Sequence, residues 1–198
     1  MKLKKFSKKE LKNDFYPLFL NLMQKGYEIE ACLLMLATWN GGHFRFVGTR
    51  FELYKFRKSF EKLEPVFKKF EKLDFRTINF DKYEYEREIK KIFTILCSFD
   101  GIKKTGASKL MHLKIPQVFV MWDKYIRNDK KYGFRNGDAD DYFNFLKEMQ
   151  RRFSKTKIPH GYRYTLPKLI DEHNYKTITE PIIRKNKKDR LNKKSKKL

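Results

Sequence analysis

Residues 100–127 read DGIKKTGASKLMHLKIPQVFVMWDKYIR, and this stretch organises the rest of the chain. The sequence predicts that one helix ends at Asp100-Gly101 and that a second runs over about residues 105–114, where Pro116 stops it. A short apolar segment then leads to an aspartate at the start of another helix. Two helices joined by a glycine-containing turn form a helical hairpin, whose second helix presents unpaired backbone N–H groups to an anion. A phosphate group is the expected ligand.

Basic side chains surround this predicted turn. Lys103 and Lys104 lie in the turn, and Lys109 follows on the second helix. Side chains and backbone would therefore attract the same phosphate. We expect the DNA-binding residues to be Gly101, Lys103, Lys104, Gly106, Lys109 and Arg127.

The stretch resembles the helix-hairpin-helix superfamily of base-excision DNA glycosylases, with similarity to the 8-oxoguanine glycosylase and endonuclease III type. The residues that carry the resemblance are Gly101-Ile102 in the turn, Ala107 in the second helix and the segment that begins at Asp123. In that superfamily the hairpin grips a DNA phosphate, and a catalytic aspartate lies at a helix start shortly afterwards. The resemblance implies an all-α bundle in which Asp123 stabilises the oxocarbenium-like sugar and directs a water molecule.

The chain departs from the family pattern at two positions. Lys103 replaces the usual second glycine of the turn, and Thr105 occupies the position where the lyase-competent members carry a nucleophilic lysine. We therefore expect a monofunctional enzyme that uses water, with Thr105 and Asp123 in its catalytic site. Lys104 is the less favoured nucleophile, because it would have to rotate inward and lose its charge on burial.

A glycosylase must also hold the extruded base and fill the gap that the base leaves. The residues expected to line the base pocket or to wedge the duplex are Trp39, Asn40, His43, Arg45 and Trp122. Simpler roles remain open for three of the candidates. Trp122 is also typical of core packing, Asn40 of a helix end, and Asp123 of a helix N-cap.

Composition limits the partners and cofactors. Lys and Arg number 47 against 24 Asp and Glu, which gives a formal charge of +23 and favours a polyanionic partner. We expect double-stranded DNA containing a damaged base, bound by a monomer. Two cysteines cannot complete a four-cysteine site, and the histidines show no metal-ligand spacing, so we expect no metal and no cofactor. Apolar runs are too short to span a bilayer, so we expect a cytoplasmic, nucleoid-associated or nuclear protein without membrane contact.

Periodic apolar residues predict helices over most of the chain. The expected helices cover residues 7–25, 28–40, 52–72, 83–99 and 165–173, besides the hairpin at about 92–127 and a helix that Asp138 caps. Gly41-Gly42 is expected to close the second helix, and Pro65 to break the third. We predict a single helical domain over residues 1–183, built as one bundle or as two small lobes with a cleft between them. Residues 184–198 contain nine Lys or Arg and one Asp, and we predict a basic disordered tail.

Two other functions fit the same residues. A helix-hairpin-helix DNA-binding protein without catalysis would use the basic turn and leave Asp123 as a cap. An RNA-binding protein would account for the charge and the tail without Asp123. All three proteins neutralise phosphates, so only product formation separates them.

Overall fold

The predicted all-α fold class is confirmed by the computed structural model, which describes residues 14–195. Within that range the chain forms helices and no strand. The helices are α1 (Tyr16–Gln24), α2 (Glu28–Trp39), α3 (Gly41–Val47), α4 (Leu53–Lys68), α5 (Tyr83–Cys97), α6 (Lys103–Lys114), α7 (Lys124–Asn128), α8 (Ala139–Phe153), α9 (Leu166–Asn174) and α10 (Glu180–Ser195). A 3₁₀ turn, Gly48–Arg50, follows α3, and a π-helical turn, Tyr175–Thr179, joins α9 to α10. The start of the helix predicted at residue 7 lies outside the described residues.

Helices α5 and α6 are joined by a short turn at residues 98–102 and pack against each other as a helical hairpin. The stripe of Ile89, Ile92, Phe93 and Leu96 on α5 is buried, as its three-and-four spacing predicts. Helix α8 packs on the same helix, where the Phe93 and Tyr142 rings stack with their centroids 4.6 Å apart. Each buried aromatic side chain of this kind stabilises the fold by about 1.5–3 kcal/mol. The hairpin is therefore held rigidly by the core.

A buried histidine joins α1 to α6. His112 Nδ1 lies 2.6 Å from the carbonyl oxygen of Phe119, and Nε2 lies 2.6 Å from the hydroxyl of Tyr16. Because a carbonyl oxygen only accepts, Nδ1 donates and Nε2 accepts from Tyr16. Burial lowers the pKa of His112 to about 3, so the ring is neutral at physiological pH.

The second helix ends at Trp39, as the expected closure by Gly41-Gly42 predicts. A separate helix, α3, begins directly afterwards, because the carbonyl of Asn40 accepts from the amides of His43 and Phe44. One boundary differs from the sequence prediction. Pro65 lies inside α4 without breaking it. A proline in a helix costs about 3 kcal/mol, and the burial of its neighbours Val66 and Phe67 offsets this cost.

The described part of the basic tail, residues 184–195, is helical. Helix α10 continues from the π-helical turn to Ser195. Lys and Arg are strong helix formers, and an ion pair of 2.7 Å between Glu180 and Arg184 supports the first turn. The last residues of the tail, 196–198, lie outside the described range.

Candidate functional site

The turn between α5 and α6 has an unusual backbone. Gly101 has φ +83° and Lys103 has φ +52°, while Ile102 between them is fully buried. Among residues 14–195, Lys103 is the one non-glycine residue with positive φ. This conformation costs an L-residue roughly 1–2 kcal/mol. Lys103 stands where the resemblance expects a second glycine, and its backbone conformation is one that glycine adopts without strain.

Asn40 fastens this turn to the end of α2. Its Nδ2 donates to the carbonyl oxygens of Gly101 and Ile102, at 2.7 and 3.0 Å. The side chain is 5% exposed, so it does not project outward as a duplex wedge. Gly106 is buried beneath it, and a Cβ at Gly106 would lie 2.9 Å from Asn40 Nδ2. Gly106 therefore serves close packing and is not exposed to a DNA phosphate.

Asp123 is the N-cap of α7. Its Oδ1 accepts from the amides of Tyr125 and Ile126, at 2.7 and 2.9 Å. Its Oδ2 accepts from the hydroxyl of Thr179 at 2.7 Å. A carboxylate offers about four lone-pair sites, and these three bonds use both sites of one oxygen and one site of the other. The simple capping role is therefore real, and it leaves one acceptor position on Oδ2 for a further partner.

A cleft of about 760 Å³ borders Asp123. It lies among the end of α2, helix α6, the start of α7, helix α9 and the π-helical turn. Seven of the residues singled out from the sequence line it: Trp39, Asn40, His43, Thr105, Lys109, Trp122 and Asp123. Other members of the lining are Asp14, Lys124, Lys168, Asp171, Glu172, Tyr175, Thr179 and Ile183. Residues separated by up to 169 positions, from Asp14 to Ile183, thus meet around one space large enough for a small ligand.

Lys109 lies inside this cleft, away from the exposed surface of the turn. Its Nζ donates to the carbonyl oxygen of Trp39. Burial lowers the pKa of Lys109 to about 8, and the nearby carboxylates of Asp171 and Asp123 oppose that shift. The cleft therefore contains an amine whose neutral form is accessible near physiological pH.

One wall of the cleft comes from α9, which the sequence analysis did not assign to the site. Lys168 Nζ lies 3.1 Å from Asp171 Oδ2 and 3.4 Å from Glu172 Oε1. It also lies 5.1 Å from the ring centroids of both Tyr16 and Trp39. Burial opposes the charge of Lys168, but the two carboxylates raise its pKa, while burial raises the pKa of Glu172. The i, i+3, i+4 spacing of Lys168, Asp171 and Glu172 was the available signal.

Thr179 was missed for a different reason. It ends the π-helical turn, is buried, and contacts Asp123 across 56 positions of the chain. A lone threonine carries no sequence pattern that predicts such a contact. Single π-helical turns often occur at functional sites, and Thr179 is the last residue of such a turn.

Comparison with protein-family models, with curated proteins and with solved structures gives no match. Among the described residues, no three His, Cys, Asp or Glu side chains come together in a way that could hold a metal ion. In the same part of the chain, no helix has the length and apolar character needed to cross a bilayer.

The other basic residues of the hairpin lie outside the cleft. Lys103 Nζ pairs with Asp100 at 2.8 Å on the exposed side of the turn, a contact worth little because both side chains are solvated. Lys104 Nζ donates to the carbonyl of Asn136. Arg127 is half-buried against Gly137, its Nε makes no hydrogen bond, and burial lowers its pKa. Of these residues, Lys103 is the one exposed to an incoming phosphate.

The remaining pocket candidates divide between surface and core. His43 is exposed at the rim of the cleft, and Arg45 lies outside it with its guanidinium 4.8 Å from the ring centroid of Phe46. Phe46 is itself 66% exposed, a feature that the sequence analysis did not single out. Trp122 is 1% exposed, and its Nε1 donates to the carbonyl of Lys104 at 3.0 Å. The indole is thus a core side chain at the floor of the cleft.

A second depression, of about 720 Å³, lies between α8 and the connection that precedes α5. Its lining carboxylates are already paired. Asp81 lies 2.6 Å from Lys147, and Glu148 pairs with Arg151 and Arg152. The cleft beside Asp123 is therefore the better candidate site.

Proposed function

We propose that this protein is a DNA glycosylase that hydrolyses the bond between a damaged or mismatched base and its sugar. The observation that carries the proposal is the position of Asp123, which follows the hairpin and borders a cleft of about 760 Å³. A nucleotide must leave the duplex before its glycosidic bond can be attacked, so the enzyme needs a cavity of this kind. Pockets for small ligands commonly measure about 300–1,000 Å³.

Asp123 would act on the sugar as the base leaves. The sugar then gains oxocarbenium-like positive charge, which a fixed carboxylate stabilises. The amides of Tyr125 and Ile126 hold Oδ1, and Thr179 holds Oδ2 from one side. The remaining acceptor position on Oδ2 can take a proton donor such as the attacking water. Because the carboxylate is already oriented, little reorganisation is needed during the reaction.

Water is the proposed nucleophile, because Thr105 occupies the position where the resemblance would place a nucleophilic lysine. Lys104 lies outside the cleft and donates to Asn136, so it is poorly placed for nucleophilic attack. Three lysines line the cleft, and Lys109 is the one on the hairpin, one helical turn beyond Thr105. We assign it an electrostatic role beside the phosphate of the flipped nucleotide.

Borohydride trapping separates these roles. The wild-type protein should give no covalent adduct with a lesion-containing duplex. An adduct that persists in Lys104→Gln and disappears in Lys109→Gln would show that Lys109 attacks the sugar, and the water mechanism would then be wrong.

A lesion screen tests the proposed activity directly. Duplexes that contain a single 8-oxoguanine, uracil, hypoxanthine or alkylated purine are incubated with excess protein, and alkali then cleaves the strand at each abasic site. We expect alkali-dependent cleavage of at least one duplex. Binding of all the duplexes without any cleavage would refute the proposal.

Binding of all the duplexes without cleavage would favour a DNA-binding protein without catalysis. The observation in its favour is the capping of α7 by Asp123, which explains the aspartate without any chemistry. Such a protein would bind damaged and undamaged duplexes with equal affinity. Tighter binding to RNA of the same sequence would instead favour the RNA-binding alternative.

A further inference from the structure

Helix α10 differs from the other long helices in that it has no buried apolar stripe. Residues 183–192 are exposed at every position. Residues 180–195 include seven Lys or Arg and two acidic residues, an excess of five positive charges. Sixteen helical residues span about 24 Å. A helix without a buried apolar face gains little from the core, and its excess positive charge suits a partner that neutralises it.

The cleft itself cannot neutralise a nucleic-acid backbone. Its lining includes four carboxylates and three lysines, and one of those lysines, Lys168, is already paired with two of the carboxylates. Lys104 on the hairpin donates to the carbonyl of Asn136, and Arg127 in α7 is half-buried. The positive charge needed to hold DNA at this cleft must therefore come from neighbouring surfaces.

The root of α10 lies at the cleft. Thr179, which bonds to Asp123, directly precedes the first residue of α10, and Ile183 from its first turn lines the cleft. The basic helix therefore starts beside the carboxylate. A duplex that delivers a nucleotide to Asp123 must pass close to this end of α10.

We propose that α10 is an arm that binds the phosphates of the double-stranded DNA flanking the cleft. This inference rests on the proposed function for the orientation of the duplex, but contact with undamaged DNA requires no catalysis. Phosphates on one strand follow at about 3.4 Å per base pair, so a helix of about 24 Å can lie beside roughly seven of them. The charges of α10 supply affinity, and the cleft supplies chemistry.

The test is the salt dependence of binding to an undamaged duplex. We compare the full-length wild-type protein with a variant that carries Lys185→Gln, Lys187→Gln and Lys188→Gln, three exposed positions. Glutamine keeps the helix propensity of lysine, so α10 should still form. Each lost phosphate contact lowers the slope of log K against log salt by about 0.9, so the slope should fall by up to about 2.7.

A matched control removes the same charge from another helix. Arg57→Gln, Lys62→Gln and Lys68→Gln alter exposed positions of α4, none of which lines the cleft. This control should change the slope of log K against log salt by less than about 0.9, the value for one phosphate contact. An unchanged slope in the α10 variant, or an equal fall in both variants, would overturn the inference. Equal or tighter binding of wild type to double-stranded RNA would overturn it as well.

The outcome is separable from that of the lesion screen. If no lesion is cleaved but the salt dependence falls when α10 is neutralised, the DNA-binding role of α10 is supported and the glycosylase proposal is refuted. If a base is excised but the salt dependence of the α10 variant is unchanged, the glycosylase proposal is supported and the role of α10 is refuted.

Discussion

Replacing Asp123 with asparagine removes the charge from the cleft and preserves most of the capping geometry. The amide oxygen of Asn can still accept from Tyr125 and Ile126, and asparagine caps helices about as well as aspartate. Its Nδ2 can donate to the Thr179 oxygen in place of the present bond. The protein should therefore fold, and its free energy of unfolding should fall by only about 1 kcal/mol from the weaker bonds and the lost helix-dipole contact.

The expected effect on excision is much larger. A carboxylate about 4 Å from a developing positive charge contributes about 4 kcal/mol at an effective dielectric constant of 20. Loss of that contribution slows the chemical step about 10³-fold. Affinity for an undamaged duplex should stay equal or rise slightly, because a negative charge near the phosphates has gone.

Single-turnover excision with saturating protein measures this step without interference from product release. Asp138→Asn is the matched control, because Asp138 caps α8 through one bond of 2.9 Å to the amide of Asp141 and does not line the cleft. Its excision rate should stay within about threefold of wild type, which is a barrier change below about 1 kcal/mol. A rate for Asp123→Asn within the same range would refute the reasoning, and so would an equal loss in both variants.

Three further results should follow from the structure. Thr179→Val removes the 2.7 Å hydrogen bond to Asp123 and should slow single-turnover excision about tenfold without weakening duplex binding. Thr179→Ser keeps the hydroxyl and should excise at the wild-type rate. Equal rates in the two variants would contradict a positioning role for Thr179. Lys103→Gly should raise the free energy of unfolding in urea by about 0.5 kcal/mol because it relieves a φ of +52°, and Lys104→Gly should lower it by about 1 kcal/mol. His112 gains a proton near pH 6.5 in the unfolded protein but only near pH 3 in the folded protein. The stability that is present above pH 6.5 should therefore be lost as the pH falls, by roughly 4 to 5 kcal/mol across that window. A His112 ring that titrates near pH 6 by NMR would contradict this expectation.

The local features of the fold could be predicted from the sequence. The apolar spacing in α5 and the proline after α6 place the hairpin, and Asp123 begins a helix where the pattern predicts one. Gly41-Gly42 marks the end of α2 as predicted, but no sequence signal announced that α3 begins directly after it.

The site could be predicted only in part, for a physical reason. The sequence analysis singles out Trp39 at the end of α2 and Thr105 and Lys109 on the hairpin, and tertiary packing brings them together around the cleft. Thr179 and Asp171 come from the far end of the chain, and only the path of α9 across the bundle places them there. A contact across 56 positions depends on the packing of several helices, which a single sequence does not reveal.

The amide of Asn40 has a consequence for any attempt to redesign this protein. One side chain bridges the end of α2 and both carbonyls of the hairpin turn, and it also borders the cleft. A change at Asn40 meant to reshape the cleft would therefore loosen the turn between α5 and α6 at the same time. A change on the α9 wall would leave the turn intact, but at Asp171 it would remove one of the two carboxylates that pair with the buried Lys168.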